Sequence, residues 1–202
     1  MSLPRAIKAE ARRMGFQLVG ITTPDPPPHY AAFEQWLAAG LHGEMTYLAS
    51  ERSRQRRADP RQILPECQSI LIVGMRYPNS NILLDVYHGQ IASYAWQEDY
   101  HQVLPPRLKT LVAFIEAQTG DSFHYTIYTD TGPILERDLA QRAGLGWIGK
   151  NTCLIHPKMG SYFLLAEILL GLKLPPDLPF VFDRCGSCTR CNTACPASCN
   201  LP

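Results

Sequence analysis

The sequence predicts an α+β fold, with helices and strands mixed along the chain, and three stretches lead there. Residues 105–118 place Leu108, Leu111, Val112 and Ile115 at i, i+3, i+4 and i+7, the apolar stripe of one helix face. Residues 69–75, SILIVGM, are a continuous apolar run, the pattern of a strand covered on both sides. Residues 122–128, SFHYTIY, alternate as a strand with one covered face does.

The other elements follow in order. Residues 4–14 read as a helix, with Ile7, Ala11 and Met14 on one face and Pro4 in the first turn. Residues 17–22 make a short strand. The prolines of PDPPPHY then break the chain, and a second helix runs over 30–39 to a stop at Gly40. A short helix leads into the basic stretch holding Arg52, Arg54, Arg56 and Arg57. Residues 78–90 read as a loop. TDTGP is a turn from which Pro133 can open a helix over 134–143. The next twenty residues are glycine-punctuated, with short strands expected, and LLAEILLG is apolar enough for burial. LPPDLP reads as a linker into a cysteine-rich end. The division expected is a core over 1–180 and a cysteine segment over 181–202.

Composition sets limits on function. A formal charge of +1 over 202 residues gives no general attraction to nucleic acid or membrane, though local patches remain open. Residues 1–15 carry charges where a secretory signal needs an apolar run. The apolar stretch 162–170 is too short to cross a bilayer and holds Glu167. These features lead to the expectation of a cytoplasmic chain without a membrane partner. Five of the seven cysteines fall within residues 185–199, which in that compartment points to metal or redox chemistry rather than disulfides.

CGSCTRCNTACP, residues 185–196, has the spacing C-x2-C-x2-C-x3-C-P. This is the run of bacterial ferredoxins, in which one tight loop aims three thiolates at a [4Fe–4S] cubane and the fourth cysteine serves another cluster. By that pattern Cys185, Cys188 and Cys191 share one cluster and Cys195 belongs to a second. Zinc is the rival metal, but its sites usually pair two C-x2-C knuckles across a longer gap. Cys199 reads as an extra thiol, and Cys67 and Cys153 as small buried apolar residues.

The second informative stretch is YTDTGPILERDLAQRAGLGWIGKN, residues 128–151. Asp130 stands where a strand gives way to a helix, a position at which ligands often meet side chains. It also suits a simple helix cap, as does Thr131. Gly144, Gly146 and Gly149 have G-x-G-x-x-G spacing, but they follow a helix rather than a strand, which excludes a dinucleotide fingerprint. The arginine run reads as a solvated face able to meet phosphates or amides. The six histidines have no metal-binding spacing, and Ser161 lacks the setting of a hydrolase nucleophile.

Taken together, DTGPILERDLAQRAGLGWIGKN, GSYFLLAEILL and CGSCTRCNTACP resemble the epoxyqueuosine reductases. HGEMTYL, RADPRQILPECQSILIVGMRYPN and DYH fit the same family, so the likeness runs in order from Met1 to Pro196. The resemblance implies an oxidoreductase of queuosine biosynthesis that reduces epoxyqueuosine at the tRNA wobble position with cobalamin and two [4Fe–4S] clusters. It implies a cobalamin domain like that of reductive dehalogenases. By likeness the acid falls on Asp130, and the cobalamin contacts fall on Arg57, Asp130, Lys150, Asn151, Thr152, Cys153, Leu154 and Ser161. The cluster ligands fall on Cys185, Cys188, Cys191 and Cys195. The implied partners are a tRNA anticodon loop carrying epoxyqueuosine, an electron donor, and a separate chain or further segment supplying the remaining cluster ligands. The expectation is therefore a family member cut within its ferredoxin-type module. A dehalogenase-type reductase with Tyr100 or Tyr128 as its acid is one alternative, and a non-catalytic cobalamin-binding remnant is another. For Asp130 to donate a proton at neutral pH, burial against the apolar cofactor must raise its pKa more than a nearby helix N-terminus lowers it.

Overall fold

The computed structural model describes residues 2–78, 89 and 91–197. A four-stranded, wholly antiparallel sheet forms the centre, in the order β1 (Leu18–Thr22), β2 (Ser69–Arg76), β6 (Phe163–Leu170), β3 (Tyr125–Tyr128). The register runs Leu18 opposite Gly74, Ile72 opposite Glu167 and Tyr128 opposite Glu167. The expected α+β class is therefore found, with helices on both faces of the sheet.

Strand alternation divides the core in two. One face sends Leu71, Val73, Ala166, Ile168 and Leu170 against α1 (Leu3–Arg13) and α4 (Tyr100–Thr119), which contribute Ile7, Ala11, Leu104, Leu108, Leu111 and Ile115. The other sends Ile70, Ile72 and Leu169 against Leu139 and Ala140 of α5 (Glu136–Arg142), with Leu145 and Leu154 beyond it. Each fully buried Leu or Ile adds about 1.5–3 kcal/mol of hydrophobic stabilisation.

The ends of three elements differ from the sequence reading. Helix α4 starts at Tyr100, five residues before Pro105, because the Asp99 carboxylate accepts the His101 N–H at 2.9 Å and caps it there. The two internal prolines forfeit main-chain hydrogen bonds, a loss offset by the buried stripe that follows. Helix α5 starts at Glu136, so Pro133 precedes it without opening it. Strand β3 is shortened to Tyr125–Tyr128. Helix α2 (Tyr30–Ala38) ends as expected before Gly40, at φ +68°. The loop read over 78–90 lies largely outside the described residues, as does Cys199.

LPPDLP is not a free linker. The Asp177 carboxylate accepts the Ile21 N–H at 2.7 Å and pairs with Lys8, and Leu174 is buried. Further on, Phe180 donates its N–H to the Gln141 carbonyl at 2.9 Å, and its ring stacks on Trp147 with centroids 5.8 Å apart. A proline-rich stretch has few N–H groups to satisfy, so a small number of anchors fixes it.

The glycines after α5 serve close packing. The short strands β4 (Trp147–Ile148) and β5 (Leu154–Ile155) form a hairpin, and a Cβ on Gly146 would run into the Ile155 main chain. Gly146→Ala is expected to cost about 1–3 kcal/mol by overpacking. Urea denaturation would show it as a lower midpoint with unchanged slope.

Candidate active site

The site lies at the end of the sheet where β3 finishes, β2 finishes and β6 begins. Thr129 is buried, and its hydroxyl donates to the Leu165 carbonyl at 3.3 Å, tying the exit of β3 to β6. The chain then turns through Asp130 at φ +61°, an uncommon backbone state for a residue with a side chain. Two contacts hold that turn. The Asp130 N–H donates to Glu136 Oε1 at 3.1 Å, and Tyr100 donates its hydroxyl to Asp130 Oδ2 at 3.0 Å. His101 Nε2 lies 3.9 Å from the same oxygen. Left-handed backbone kept at such a cost is typical of functional loops.

The Asp130 side chain is 68% exposed. The chain's own fold therefore leaves this carboxylate open on the side where a cofactor would lie. Burial falls on its neighbours instead. Glu136 has its pKa pushed up to about 7, by burial first and by the charge of Asp130 second, against the lowering effects of the Asp130 N–H, Arg137 and Arg57. Glu167 on β6 is 0% exposed, and among the described residues neither carboxylate oxygen has a hydrogen-bond partner. Burial raises its pKa well above the ordinary value, and Glu136 and Asp130 raise it further. The sequence reading treated Glu167 only as an interruption and gave Glu136 no role. The signal available was one acidic residue in the middle of an apolar strand.

Other expected site residues gather around this end. Arg57, on α3 (Glu51–Ala58), is half-buried rather than solvated. Its guanidinium donates to the Ser53 hydroxyl, lies 5.5 Å from the Phe33 ring centre, and feels the charge of Glu136. Burial lowers its pKa. Thr152 also has left-handed backbone, at φ +62°, in the β4–β5 turn, where Arg137 donates to its carbonyl at 3.0 Å. In the same turn Asn151 accepts the Cys153 N–H at 3.2 Å, and Leu154 is buried in the core. Ser161 is half-buried beside Tyr162, whose carbonyl accepts the Tyr77 N–H at 3.2 Å. Tyr77, Tyr94, Tyr100 and Tyr162 meet edge to face, with centroids 5.8–6.4 Å apart. Beside them lies a cavity of about 260 Å³ bordered by Arg76, Tyr77, Tyr94, Gln97, Tyr100 and Arg107.

Lys150 points elsewhere. Its ammonium donates to the carbonyls of Gly186 at 2.9 Å and Cys188 at 3.3 Å, and so holds the cysteine segment. Trp147 Nε1 donates to Cys185 Sγ at 3.4 Å. Helix α6 (Arg190–Ala194) carries Cys191 between Cys188 and Cys195. Cys188 is exposed, and Cys185, Cys191 and Cys195 are half-buried. Among the described residues no three metal-binding side chains converge on one point. The donor set, thiols clustered along one short loop, nonetheless has the chemistry of an iron–sulfur ligand set. Cys67 is buried as expected, whereas Cys153 is only half-buried.

Comparison with known proteins adds relatives. Residues 57–131 match the family model "Epoxyqueuosine reductase QueG, DUF1730". The epoxyqueuosine reductase of Pseudomonas aeruginosa is 36% identical, over 97% of this chain and 55% of its own length. That of Xanthomonas campestris is 41% identical, over 94% and 54%. The chain spans about half the length of the curated relatives it matches. Among solved structures, epoxyqueuosine reductase from Streptococcus thermophilus superposes with TM-score 0.85 at 32% identity, over 100% of this chain and 54% of the other. An epoxyqueuosine reductase bound to an epoxyqueuosine-modified tRNA-Tyr stem loop gives 0.81 at 29% identity, over 98% and 52%. The Bacillus subtilis enzyme, described with an aspartate catalytic loop swung out of its active site, gives 0.82 at 28%, over 98% and 52%. A reductive dehalogenase gives 0.52 at 16% identity, a likeness of fold alone.

Proposed function

We propose that this chain, which belongs with the epoxyqueuosine reductases in sequence and fold, acts in reducing epoxyqueuosine to queuosine at the wobble position of tRNA, with Asp130 as its acid. The observation that carries this is Asp130 itself. Its backbone is strained and tethered by Tyr100 and Glu136, and it stands at a sheet end shared with Arg57, Thr152 and Ser161. Relatives described with a modified tRNA stem loop and with an aspartate catalytic loop swung out of the active site support the reading.

Cobalamin is the cofactor this reading requires, and when bound it supplies the reducing electrons at the epoxide carbon. Arg57 fits the cofactor's amide-rich rim, since its half-buried guanidinium has donors beyond the one spent on Ser53. Thr152 and Cys153 offer main-chain groups from a stiff turn, and Asn151, Leu154 and Ser161 flank them. Lys150 contributes by holding the cysteine loop close to that turn. Cys185, Cys188, Cys191 and Cys195 would hold iron–sulfur clusters that feed electrons inward. Asp130 gives a proton to the oxygen as the ring opens. Tyr100 is a poor acid here, because burial and the Asp130 carboxylate raise its pKa and keep its proton in place. This argues against Tyr100 as the acid of a dehalogenase-type reductase. The proposed substrate brings an unstacked anticodon base, which edge-on tyrosines suit. It also places the chain in the cytoplasm, and no helix among the described residues is long and apolar enough to cross a membrane.

The test is an anaerobic assay of the 202-residue chain with cobalamin, reconstituted iron–sulfur centres, a chemical reductant and epoxyqueuosine tRNA. Queuosine in the digested nucleosides supports the proposal. Cobalamin bound with no queuosine formed would favour a non-catalytic cofactor-binding role. Cys188→Ser is expected to lower bound iron after reconstitution while circular dichroism stays unchanged. Equal iron in both proteins would overturn the ligand set.

A further inference from the structure

Asp130 poses a difficulty that the rest of the site resolves. A single carboxyl can hold at most one proton. Conversion of an epoxide to an alkene and water takes up two electrons and two protons, so one carboxyl is too few. Resting on the reading above, we propose that Asp130, Glu136 and Glu167 form a proton store, in which Glu136, backed by Glu167, replaces the proton that Asp130 donates.

The three acids run from surface to core. Asp130 is exposed, Glu136 is mostly covered, and Glu167 is sealed beneath α5 on the central strand β6. Glu136 Oε1 already accepts the Asp130 N–H at 3.1 Å, so its carboxyl lies against the main chain of the residue it would reprotonate. Glu167 lies opposite Ile72 and Tyr128 in the sheet, and no group among the described residues hydrogen-bonds its oxygens. A buried carboxylate with no partner is costly, and retaining a proton removes that cost.

The charged and titratable groups around Glu136 are Asp130 from the β3–α5 turn, Glu167 from β6, Arg57 from α3, Arg137 from α5 itself and Tyr100 from α4, with His101 beyond Asp130. Two guanidiniums face three carboxyls, and Arg137 is exposed. The cluster therefore retains at least one proton near neutrality, in keeping with the raised pKa values of its two covered members. In turnover a proton passes from Glu136 through the Asp130 carboxylate to the epoxide oxygen as the ring opens, and a second follows by the same route as that oxygen leaves as water. Glu167 or solvent then reprotonates Glu136. No bond other than O–H changes in the store.

The test has two independent parts. Infrared difference spectra of the full chain, titrated from pH 5 to 9, follow protonated carboxyl groups without any turnover. A band is expected to persist at pH 7, to fade on further alkalinisation, and to weaken in both Glu136→Gln and Glu167→Gln. Absence of any protonated carboxyl at pH 7, or bands unchanged in both variants, would overturn the store whether or not the chain is active. The second part is the pH–rate profile of queuosine formation. Glutamine at 136 can still accept the Asp130 N–H, so a purely positional role would leave the profile intact. A proton-storing role predicts a rate about tenfold or more lower at pH 7 and loss of the inflection near that pH. A wild-type profile retained in Glu136→Gln would sink the inference. No queuosine from wild type at any pH would instead sink the functional reading, leaving the infrared result to decide the store.

Discussion

Asp130→Asn is expected to lower queuosine formation by about two to four orders of magnitude, with cobalamin binding retained. Asparagine fills the same space, tolerates left-handed backbone better than most residues, and can still accept the Tyr100 hydroxyl. Its N–H still reaches Glu136. The tethers seen at 3.0 and 3.1 Å therefore survive, and the change removes only the acid. Single-turnover assays with cobalamin-loaded protein separate the chemical step from tRNA binding. A rate within threefold of wild type would remove Asp130 from the mechanism.

The other large effect is on stability. The Glu136 pKa rises on folding from an ordinary 4.5 to about 7. Between those values the native state holds a proton that the unfolded chain has lost. Stability is therefore greatest below about pH 4.5 as far as this group is concerned, and it declines as pH rises to about 7. At about 1.36 kcal/mol per pKa unit, the loss is roughly 3 kcal/mol. Glu167, raised by burial, acts in the same direction. Glu136→Gln is expected to flatten the decline, so that urea midpoints at pH 5 and pH 8 move closer together than in wild type. Asp130→Asn should weaken it too, because the charge of Asp130 helps raise Glu136. Equal pH dependence in wild type and Glu136→Gln would contradict the burial argument.

What the sequence made legible follows from how each signal arises. The stripe at Leu108, Leu111, Val112 and Ile115 and the run Ser69–Met75 depend on local periodicity, and both appear as read. The start of α4 was missed because Asp99 caps the helix ahead of two prolines that are themselves good first-turn residues. Asp130 was identified by likeness and by its place after a strand. Its exposure was not legible, because exposure depends on what β6 and α4 bring beside it. Glu167 is the reverse case. A lone acid in an apolar strand is visible in sequence, but only the placement of β6 between β2 and β3, beneath α5, shows that it is fully buried.

Helix α5 joins two chemistries that the sequence keeps apart. Glu136 at its first turn holds the Asp130 N–H, while Gln141 near its last turn holds Phe180 at the approach to the thiols. Seven residues at 1.5 Å each make it a spacer of about 10 Å. One residue more or less would turn its far end by about 100° as well as change its length. On the proposed function, the pitch of a single short helix would keep the proton side and the electron side of the site in phase.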